Sequence, residues 1–515
     1  MILTFNSYVF LLAFLPIVIG GYYLLTRVLP DQRPALVWLV LASLVFYGLQ
    51  GPGYLIVLVG SVVLNFLVAW WMTTRPPGSR ARRTALTVGV VGNLLLLGAY
   101  KYTGFLADNI NALFGTHLSA LTTAYPIGLS FYTFIQLGFL IDAYVGQTKR
   151  PNFLRYALFG TFFPYVTAGP IVRPGEIMEQ LDEPVRQRTG STRLAVGATM
   201  FAMGLFKKAV LADSVAPYAT TLFAYSSGHD TIGVGNAWVG MLAYTLQLYF
   251  DFSGYTDMAL GIGHMLGIRL PLNFNSPLKA TSIIDFWRRW HMTMTRWFTD
   301  FIYTPLAANL MRRSMRKGHS TAIRVLLVLC LPVIVTFLLV GLWHGAGWGF
   351  VIWGAIQGGA MAINLLWREA GQRMPGVLGW LLMMITFVSS LTFFRAPDTG
   401  TAFTILRAMF GLGPAGAPTG QFYGTSRLFQ TITVTPALLW VIALLAIALF
   451  FPRNTQQILG RYDVGLPTMA AAPDKPSRIA LTWRPNLRWA LITGGALAAA
   501  LVFAGGPSPF LYYQF

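Results

Sequence analysis

The sequence predicts an all-α, polytopic membrane protein. Of its 515 residues, 55% are hydrophobic and only 10% are charged. The mean hydropathy of +0.59 is far above the balance of a soluble globular chain. Apolar stretches of about 17–25 residues, which are long enough to cross the hydrocarbon layer as helices, recur along the whole chain. These three observations indicate that the protein lies in a membrane, and they exclude functions that require a soluble protein.

The predicted membrane spans number roughly 11–13. In chain order they are Val9–Leu25, Ala35–Leu49, Tyr54–Met72, Ala85–Tyr100, Pro126–Ile141, Leu194–Leu211, Val234–Phe250, Val325–Trp343, Gly349–Trp367, Val377–Phe394, Pro436–Phe451 and Trp489–Phe503. Because short loops join them, we expect a single membrane domain over residues 1–515, with an active-site region at about 126–367 and C-terminal helices at about 377–515.

Three polar links are longer than the rest. Arg173–Arg193 is expected to be a surface link with partial helix, and Gly411–Arg427 is a second loop. Pro452–Arg488 is rich in proline, alanine and charge, which is typical of an exposed connector.

The net charge of +20 lies mostly in short links between apolar stretches. This distribution is typical of the cytoplasmic loops of membrane proteins and argues against nucleic-acid binding. The links Arg75–Arg83 and Arg312–Arg324 are therefore expected to face the cytoplasm, which places the amino terminus outside. The one cysteine, Cys330, lies in an apolar run, so neither an internal disulfide nor a cysteine-based metal site is expected.

A hairpin is predicted for Val325–Trp367, which contains no Asp, Glu, Lys or Arg over 43 residues and is bracketed by Arg324 and Arg368. As a helix this length would be about 65 Å, enough to cross the hydrocarbon layer twice. The run GLWHGAGWG lies near its middle, where four glycines favour a break, and His344 lies at that break. Irregular backbone at membrane depth is tolerated where it is buried or lines a cavity. His344 is thus either a pocket residue or a structural histidine.

A second histidine lies in Ser282–Asp300. Ser282 and Asp285 have the spacing of a helix-start cap, and apolar residues then recur at intervals of three and four, which predicts one continuous helix. His291 occupies the centre of the apolar stripe, as either a core or a site residue. The stripe comprises Ile284, Trp287, His291, Met294 and Phe298, whereas Asp285, Arg288, Arg289 and Arg296 lie off it and can pair or face phosphate. So charged a helix is expected at the cytoplasmic interface.

Two acidic residues interrupt an apolar span in QLYFDFSGYTD. Asp251 and Asp257 are expected either to face a pocket or to pair with a cation, for which the arginines near His291 are candidates. Two carboxylates six residues apart, with no histidine at ligand spacing, form no standard metal site, so we predict none.

These segments resemble the membrane-bound O-acyltransferase family, and within it the bacterial branch of alginate O-acetylation proteins. The similarity follows the order of the chain: FNSYVFLLAFLPIVIGGYYLL at Phe5–Leu25, PIGLSFYTF at Pro126–Phe134, GPIVRPGEI at Gly169–Ile177, QLYFDFSGYTDMALGIG at Gln247–Gly263, LNFNSPLKATSIIDFWRRWHMTMTRW at Leu272–Trp297, GLWHGAGWGFVIWG at Gly341–Gly354 and FFRA at Phe393–Ala396. FWRRWH followed by LWHG is the most specific part.

The resemblance implies a fold in which spanning helices, with re-entrant or interfacial helices, surround a central tunnel. It implies that His344 is the family's buried active-site histidine, that His291 is the second histidine of FWRRWH, and that Arg173 is the arginine of GPIVR. We predict His344 and His291 as catalytic. The predicted substrate-binding residues are Arg173, Asp251, Asp257, Trp287, Arg288, Arg289 and Trp343.

The resemblance also implies acyl transfer from a cytoplasmic donor, acetyl-CoA or another acyl-CoA, with no bound cofactor. The acceptor would be an extracellular or periplasmic polysaccharide, reached with the help of a separate periplasmic or membrane-anchored acetyltransferase. The expected location is the bacterial inner membrane. Transfer of D-alanine to teichoic acid is the alternative within the family. A transporter or channel, or a scaffold for polysaccharide secretion, would use the same intramembrane polar residues.

Acyl transfer to a hydroxyl needs a proton acceptor and a stabilised oxyanion. The prediction is that His344 is the general base and that His291 orients a reactant or assists the leaving thiolate. Backbone amides of the glycine-rich break are candidate oxyanion donors. A nucleophilic histidine would leave the same sequence pattern. The candidates for binding CoA phosphates are Arg288, Arg289, Arg312, Arg313, Arg316 and Lys317.

Overall fold

A computed structural model of the chain describes residues 3–119, 124–147, 152–183, 190–228, 231–413, 434–469, 481–504 and 510–511. These residues form helices and connecting loops without a β-strand, apart from one isolated bridge between Pro271 and Leu466. The prediction of an all-α chain is confirmed.

The helices are, in chain order, α1 Leu15–Val28, α2 Arg33–Gly48, α3 Pro52–Thr73, α4 Arg80–Lys101, α5 Thr103–Phe114, α6 Leu129–Val145, α7 Phe153–Thr161, α8 Pro174–Met178, α9 Ser191–Phe206, α10 Asp213–Ser226, α11 Val234–Met265, α12 Ile283–Trp287, α13 Met292–Phe298, α14 Thr304–Arg316, α15 Thr321–Val325, α16 Leu331–His344, α17 Trp348–Glu369, α18 Gly376–Arg395, α19 Thr399–Met409, α20 Val434–Phe450, α21 Thr455–Ile458 and α22 Leu487–Phe503. Wider π-helical turns extend or join several of them, at Phe10–Phe14, Lys207–Ala212, Thr299–Tyr303 and Leu326–Cys330.

Seven helical segments among the described residues are long and apolar enough to cross a membrane: Phe10–Val28, Pro52–Thr73, Arg80–Lys101, Ser191–Ser226, Thr321–His344, Trp348–Glu369 and Gly376–Arg395. The shorter apolar helices α2, α6, α20 and α22 join them. Each predicted span lies on one of these helices or on α11. The chain is a multi-pass membrane protein.

Helix α11 forms the centre of the molecule. It is 32 residues long and almost wholly buried from Asn236 to Met265, and it packs against α9, α10, α18, α19 and α20. Its contact with α9 depends on glycine, since a Cβ on Gly261 would lie 2.6 Å from the Gly197 carbonyl oxygen and a Cβ on Gly254 would lie 2.7 Å from that of Gly204. Small residues at such crossings allow two membrane helices to approach at backbone distance.

The predicted hairpin is confirmed. Its first arm is Thr321–His344 and its second is α17, and the two arms pack against each other. The helix breaks at Gly345–Gly347, where Gly345 and Gly347 have extended backbone. Gly341 and Gly354 bring the arms together, since a Cβ on Gly341 would lie 2.2 Å from the Phe350 carbonyl oxygen.

The prediction of one continuous helix through His291 is wrong. Helix α12 ends at Trp287 and α13 begins at Met292, with His291 between them in the left-handed region at φ 42°. A neighbouring non-helical segment takes the backbone hydrogen bonds that a helix would use. Asn275 N donates to Arg289 O at 2.9 Å, and Met292 N donates to Asn273 O at 2.9 Å. The periodicity of Ser282–Asp300 carries no information about Asn273 and Asn275, which lie outside that segment.

The prediction that Pro452–Arg488 is an exposed connector is wrong for several of its described residues, although Arg484–Arg488 are exposed. Thr455 and Trp483 are buried, and Leu466 makes the bridge to Pro271. Residues 470–480 of this link lie outside the described residues, as does most of Gly411–Arg427. In the link Arg173–Arg193, the predicted partial helix is present as α8.

Candidate active site

A cavity of about 420 Å³ lies beside the break in the hairpin. Its walls come from the end of α4, the start of α6 and the loop before it, and the break itself. The lining residues are Tyr100, Lys101, Tyr125, Ile127, Gly128, Ser130, Phe131, Thr167, Trp343, His344, Gly345, Ala346 and Phe350. We call this space the histidine cavity. The pocket that the glycine-rich break predicts is therefore present, and His344 and Trp343 both line it.

His344 is the last residue of α16 and is 6% exposed. Three aromatic rings surround its imidazole edge-on: Trp343 at 4.7 Å, Phe394 at 5.0 Å and Trp353 at 5.3 Å between ring centroids. Such a cage fixes the ring and limits its access to water, while the cavity side leaves room for a reactant. The arrangement suits proton transfer inside a largely apolar chamber.

Two consecutive side chains, Lys101 at the end of α4 and Tyr102 between α4 and α5, cap the helix end that carries His344. Lys101 Nζ donates to the carbonyl oxygens of Trp343 at 2.5 Å and His344 at 3.0 Å. Tyr102 Oη donates to the Leu342 carbonyl at 2.7 Å. The last carbonyls of a helix lack partners within the helix and carry its negative dipole end, so a cation there is favourable. The position of His344 is thereby coupled to α4.

Lys101 also reaches α6, where its Nζ lies 3.3 Å from Ser130 Oγ, and Ser130 Oγ is 2.7 Å from Tyr125 Oη. Sequence reasoning missed Lys101, Tyr125 and Ser130. A signal for Lys101 was available, because it is a lone cation directly after the apolar span Ala85–Tyr100. No comparable signal marks the two hydroxyl residues, since Ser and Tyr are common at the ends of spans.

His291 is fully buried and is held by a polar network. Its Nδ1 lies 3.0 Å from Asn273 Oδ1, which accepts also from Thr293 Oγ1 at 2.9 Å. Thr293 Oγ1 in turn accepts from Ile171 N at 3.0 Å. Since Asn273 Oδ1 is an acceptor, the proton of the neutral imidazole belongs on Nδ1, and Nε2 carries the lone pair. Burial lowers the pKa of His291 to about 3, so the ring is neutral at physiological pH.

Trp343 lies between the two histidines. Its ring centroid is 5.9 Å from that of His291 and 4.7 Å from that of His344. Phe131, which lines the histidine cavity, packs on both Trp343 and His291. The structure therefore brings His291, which lies between α12 and α13, into one aromatic cluster with Trp343 and His344 at the end of α16.

A second cavity, of about 240 Å³, lies between α12–α13 and the hairpin. We call it the tryptophan cavity, because Trp287 lines it together with Arg288, Met294, Phe298, Phe337 and Val340. Phe298 packs on Trp343 with ring centroids 6.5 Å apart, and Trp287 packs on Trp353 at 5.9 Å. The aromatic cluster around the two histidines thus borders both cavities.

Two of the predicted substrate-binding arginines line neither cavity. Arg289 is buried and pairs with Asp285 at 2.9 Å. Arg173 pairs with Asp300 at 2.5 Å and lies over the Phe301 ring, where Arg296 pairs with Glu176 beside it. Arg289 therefore lies beside the turn at His291, and Arg173 pairs with a residue just after α13.

Asp251 and Asp257 also line neither cavity. The expectation that they pair with arginines near His291 is wrong, because Lys208 Nζ lies 2.7 Å from Asp251 and Lys207 Nζ lies 2.6 Å from Asp257. Both lysines belong to the π-helical turn after α9. Their charges compensate the two carboxylates, which explains why α11 continues past Phe250, where the predicted span ends.

The described end of the chain docks on the same ion pairs. Leu511 N donates to Asp251 Oδ2 at 3.0 Å, and Lys208 lies over the Phe510 ring at 5.2 Å. The Asp251–Lys208 pair therefore connects α11, the π-helical turn after α9 and residues 510–511.

Comparisons with known proteins agree with this architecture. The family model described as membrane-bound O-acyltransferase matches residues 136–397, which include both histidines and the hairpin.

Similarity to individual proteins extends beyond that region. The chain is 37% identical over 440 residues to a peptidoglycan O-acetyltransferase of Helicobacter pylori, covering 80% of each chain. It is 34% identical over 549 residues to the probable alginate O-acetylase AlgI of Pseudomonas aeruginosa, covering all of both chains. A teichoic acid D-alanyltransferase of Streptococcus thermophilus is 30% identical over 248 residues, which cover 47% of this chain and 57% of that protein.

Proposed function

The chain belongs to the membrane-bound O-acyltransferase family, and from this premise we propose that it transfers an acyl group, acetyl in the first instance, from a cytoplasmic thioester to a polysaccharide outside the membrane. The names of the full-length and near full-length relatives support O-acetylation. The observation that carries the proposal is the position of His344, at a capped helix end, in an aromatic cage and on the wall of the histidine cavity.

In the proposed reaction, His344 accepts the proton of the acceptor hydroxyl while the hydroxyl oxygen attacks the thioester carbonyl. The resulting tetrahedral oxyanion collapses, the carbon–sulfur bond breaks, and the leaving thiolate takes the proton from the imidazolium. The products are an O-acyl ester and a free thiol. Ala346 lines the cavity just before the amino end of α17, and the dipole of that helix end favours the developing negative charge.

The neutral His291 lines neither cavity, but its ring packs on Phe131 and Trp343, which line the histidine cavity. Its Nδ1–H is directed to Asn273, so its Nε2 lone pair has a fixed direction. We propose that His291 orients a reactant or assists the leaving thiolate. A ring whose pKa lies near 3 keeps one protonation state through the cycle, which suits orientation better than proton storage.

We propose the tryptophan cavity as the approach for the thioester arm of acyl-CoA. Arg288 is exposed and lines this cavity, where a guanidinium suits phosphate recognition. Tyr303 lines it as well and directly precedes α14, whose last turn carries the exposed Arg313 and Arg316. These cations support an acyl-CoA donor at the cytoplasmic surface of the bacterial inner membrane, in keeping with the positive-inside rule.

The histidine cavity would then receive the acceptor. Its 420 Å³ accommodates a small hydroxyl-bearing group rather than a polymer. We therefore propose a separate periplasmic or membrane-anchored transferase that takes the acyl group and delivers it to the polysaccharide.

The direct test uses the purified full chain in proteoliposomes with radiolabelled acetyl-CoA and a small hydroxyl-bearing acceptor that stands in for the partner transferase. We expect labelled ester, together with free CoA detected by a thiol reagent. The chain's one cysteine, Cys330, is buried and gives little background. A His344→Ala variant should release no CoA above the protein-free control. Solute uptake without thioester consumption would instead identify a transporter.

Transfer of D-alanine is the second candidate, because the teichoic acid D-alanyltransferase of Streptococcus thermophilus shares 30% identity with this chain. The donor separates the two activities. Turnover of a D-alanyl carrier-protein thioester, with acetyl-CoA inert, would favour this alternative and reject acetyl transfer.

A further inference from the structure

We propose that the hydroxyl groups of Tyr125 and Ser130 supply a side-chain hydrogen-bond donor that stabilises the tetrahedral oxyanion in the histidine cavity. This inference rests on the proposed acyl transfer, and it assigns residues to the step in which negative charge develops on the thioester carbonyl oxygen. Both residues line the histidine cavity together with His344. Their hydroxyl oxygens lie 2.7 Å apart, and we call them the hydroxyl pair.

The hydroxyl pair has one proton more than its own hydrogen bond needs. The bond between Ser130 Oγ and Tyr125 Oη uses one of the two hydroxyl protons, whichever oxygen donates. Among the described hydrogen bonds, neither hydroxyl donates to any other group. The second proton is therefore available to a reactant in the cavity, from Ser130 if Tyr125 donates and from Tyr125 if Ser130 donates.

Lys101 makes this donor stronger. An ammonium group has three N–H donors and no lone pair, and those of Lys101 are directed to the Trp343 carbonyl, the His344 carbonyl and Ser130 Oγ. A hydroxyl that accepts a hydrogen bond from a cation is polarised, so it donates its own proton more strongly. Because the three donors of Lys101 are engaged in this way, the hydroxyl pair is the group that can contact the reactant.

The position of the hydroxyl pair suits a negative charge. Ser130 is the second residue of α6, at the amino end of a 17-residue helix, where the helix dipole is positive. Gly128, just before α6, has φ 78°, and a Cβ there would lie 2.5 Å from the Val166 carbonyl oxygen, so this helix end packs closely against a neighbouring turn. Donors that are in place before the reaction need no reorganisation as the charge develops.

The hydroxyl pair keeps both of its protons during the reaction. The acceptor oxygen bonds to the carbonyl carbon, its proton passes to His344, and the carbonyl electron pair moves onto the oxygen that receives the hydrogen bond. When the carbon–sulfur bond breaks, that electron pair re-forms the carbonyl, and the thiolate takes the proton from His344. A donor that binds the oxyanion more strongly than the carbonyl lowers the barrier to this step.

The test measures kcat for wild-type and variant chains in proteoliposomes, with the thioester that the wild type consumes. Tyr125→Phe retains the Ser130 hydroxyl and Ser130→Ala retains the Tyr125 hydroxyl, so each should lower kcat by less than about five-fold. Tyr125→Phe/Ser130→Ala removes both hydroxyls and should lower kcat by roughly 10²–10³-fold, the loss typical of one oxyanion donor. The loss in the double variant should therefore exceed the product of the two single losses.

Tyr125→Phe/Ser130→Thr is the matched control, because it changes the same two positions but keeps one hydroxyl. Its kcat should stay within about five-fold of that of the wild type. Donor and acceptor KM should change little in the double variant, since the oxyanion is absent from the ground state. Tyr8→Phe and Ser226→Ala remove hydroxyls that donate to backbone carbonyls outside both cavities, and they should turn over like the wild type.

A double variant within about ten-fold of wild type, beside an inactive His344→Ala, would reject the role of the hydroxyl pair and leave the proposed function intact. Equal losses in the double variant and its matched control would show that packing, and not a hydroxyl, is required. A raised acceptor KM at constant kcat would mean that the hydroxyl pair binds the acceptor instead. If the wild type consumes neither acetyl-CoA nor a D-alanyl thioester, the proposed function and this assignment are both overturned.

Discussion

His344 and His291 belong to one aromatic cluster, but different interactions hold them. His344 is positioned through its backbone, since Lys101 and Tyr102 bind the carbonyls of the helix end that carries it. His291 is positioned through its ring, which Asn273 fixes inside a buried network. Only His344 is among the residues that line the histidine cavity. The residue that we propose as the general base therefore faces the histidine cavity, and the residue that we propose to support it is held by hydrogen bonds.

The largest expected effect comes from removing the ring that faces the cavity. His344→Ala should lower kcat by roughly 10³–10⁴-fold, at the upper end of what a general base contributes. Folding should persist, because alanine is small and neutral and adds no buried charge or polar group at the cavity wall. Acetyl transfer in proteoliposomes measures the loss. His117→Ala, which alters an exposed histidine, is the control. A His344→Ala enzyme within about ten-fold of wild type would end the assignment of the general base.

His291→Gln should cause a smaller loss, of roughly 10²-fold in kcat with little change in donor KM. Glutamine keeps length and polarity but cannot reproduce the fixed Nε2 lone pair. Because the pKa of His291 lies near 3, its protonation does not change between about pH 5 and 8, and the loss should be equal across that range.

His264→Gln is the matched control for His291→Gln, since His264 is also a buried histidine but lies in the last turn of α11. A near wild-type rate for His291→Gln at saturating donor would leave His344 as the sole catalytic histidine. A loss confined to one side of the pH range would show that His291 titrates during turnover.

The two regions also differ in what the sequence could predict. The hairpin, its break and a pocket at His344 follow from one segment, because the absence of charge, the length and the glycines all act locally. The turn at His291 depends on a hydrogen bond that Asn273 O accepts and another that Asn275 N donates, and both residues lie outside the helix that periodicity predicts. Two further features needed partners distant in sequence, namely the Lys101 cap and the lysine partners of Asp251 and Asp257. Hydropathy predicts where the spans lie in the sequence, but it does not predict which face of one helix packs against another helix.

Lys101 tests whether the backbone cap matters for the reaction. In Lys101→Met a side chain of similar length loses its donors, so the Trp343 and His344 carbonyls lose their partner and the helix end can shift. A displacement of about 1 Å at a reacting group can cost about 10²-fold, and we expect a fall of roughly 10- to 100-fold in kcat at nearly constant KM.

Lys101→Arg keeps charge and donors and should recover part of the lost rate. Tyr102→Phe removes a single hydrogen bond, to Leu342, and should have a smaller effect than Lys101→Met. If Lys101→Met and Lys101→Arg are equally impaired, or if KM rises in place of the fall in kcat, Lys101 contacts the substrate and does not act through the helix end.

The smallest expected effect distinguishes two consecutive arginines that precede His291 in the chain. Arg288 is exposed at the tryptophan cavity, whereas Arg289 is buried in an ion pair with Asp285. Arg288→Gln should raise the donor KM by about five-fold, the equivalent of about 1 kcal/mol from one solvated phosphate contact, with kcat and Tm unchanged.

Arg289→Gln should show the opposite pattern, with an effect on Tm and not on the donor KM. It leaves Asp285 without its cation beside the turn that holds His291, so Tm should fall by several degrees while donor KM stays near that of the wild type. Donor titrations and thermal unfolding on both variants measure the two effects. If Arg289→Gln instead raises the donor KM and leaves Tm unchanged, the donor reaches the buried arginine. That result would place the thioester arm on the Asn275 side of the turn and away from the tryptophan cavity.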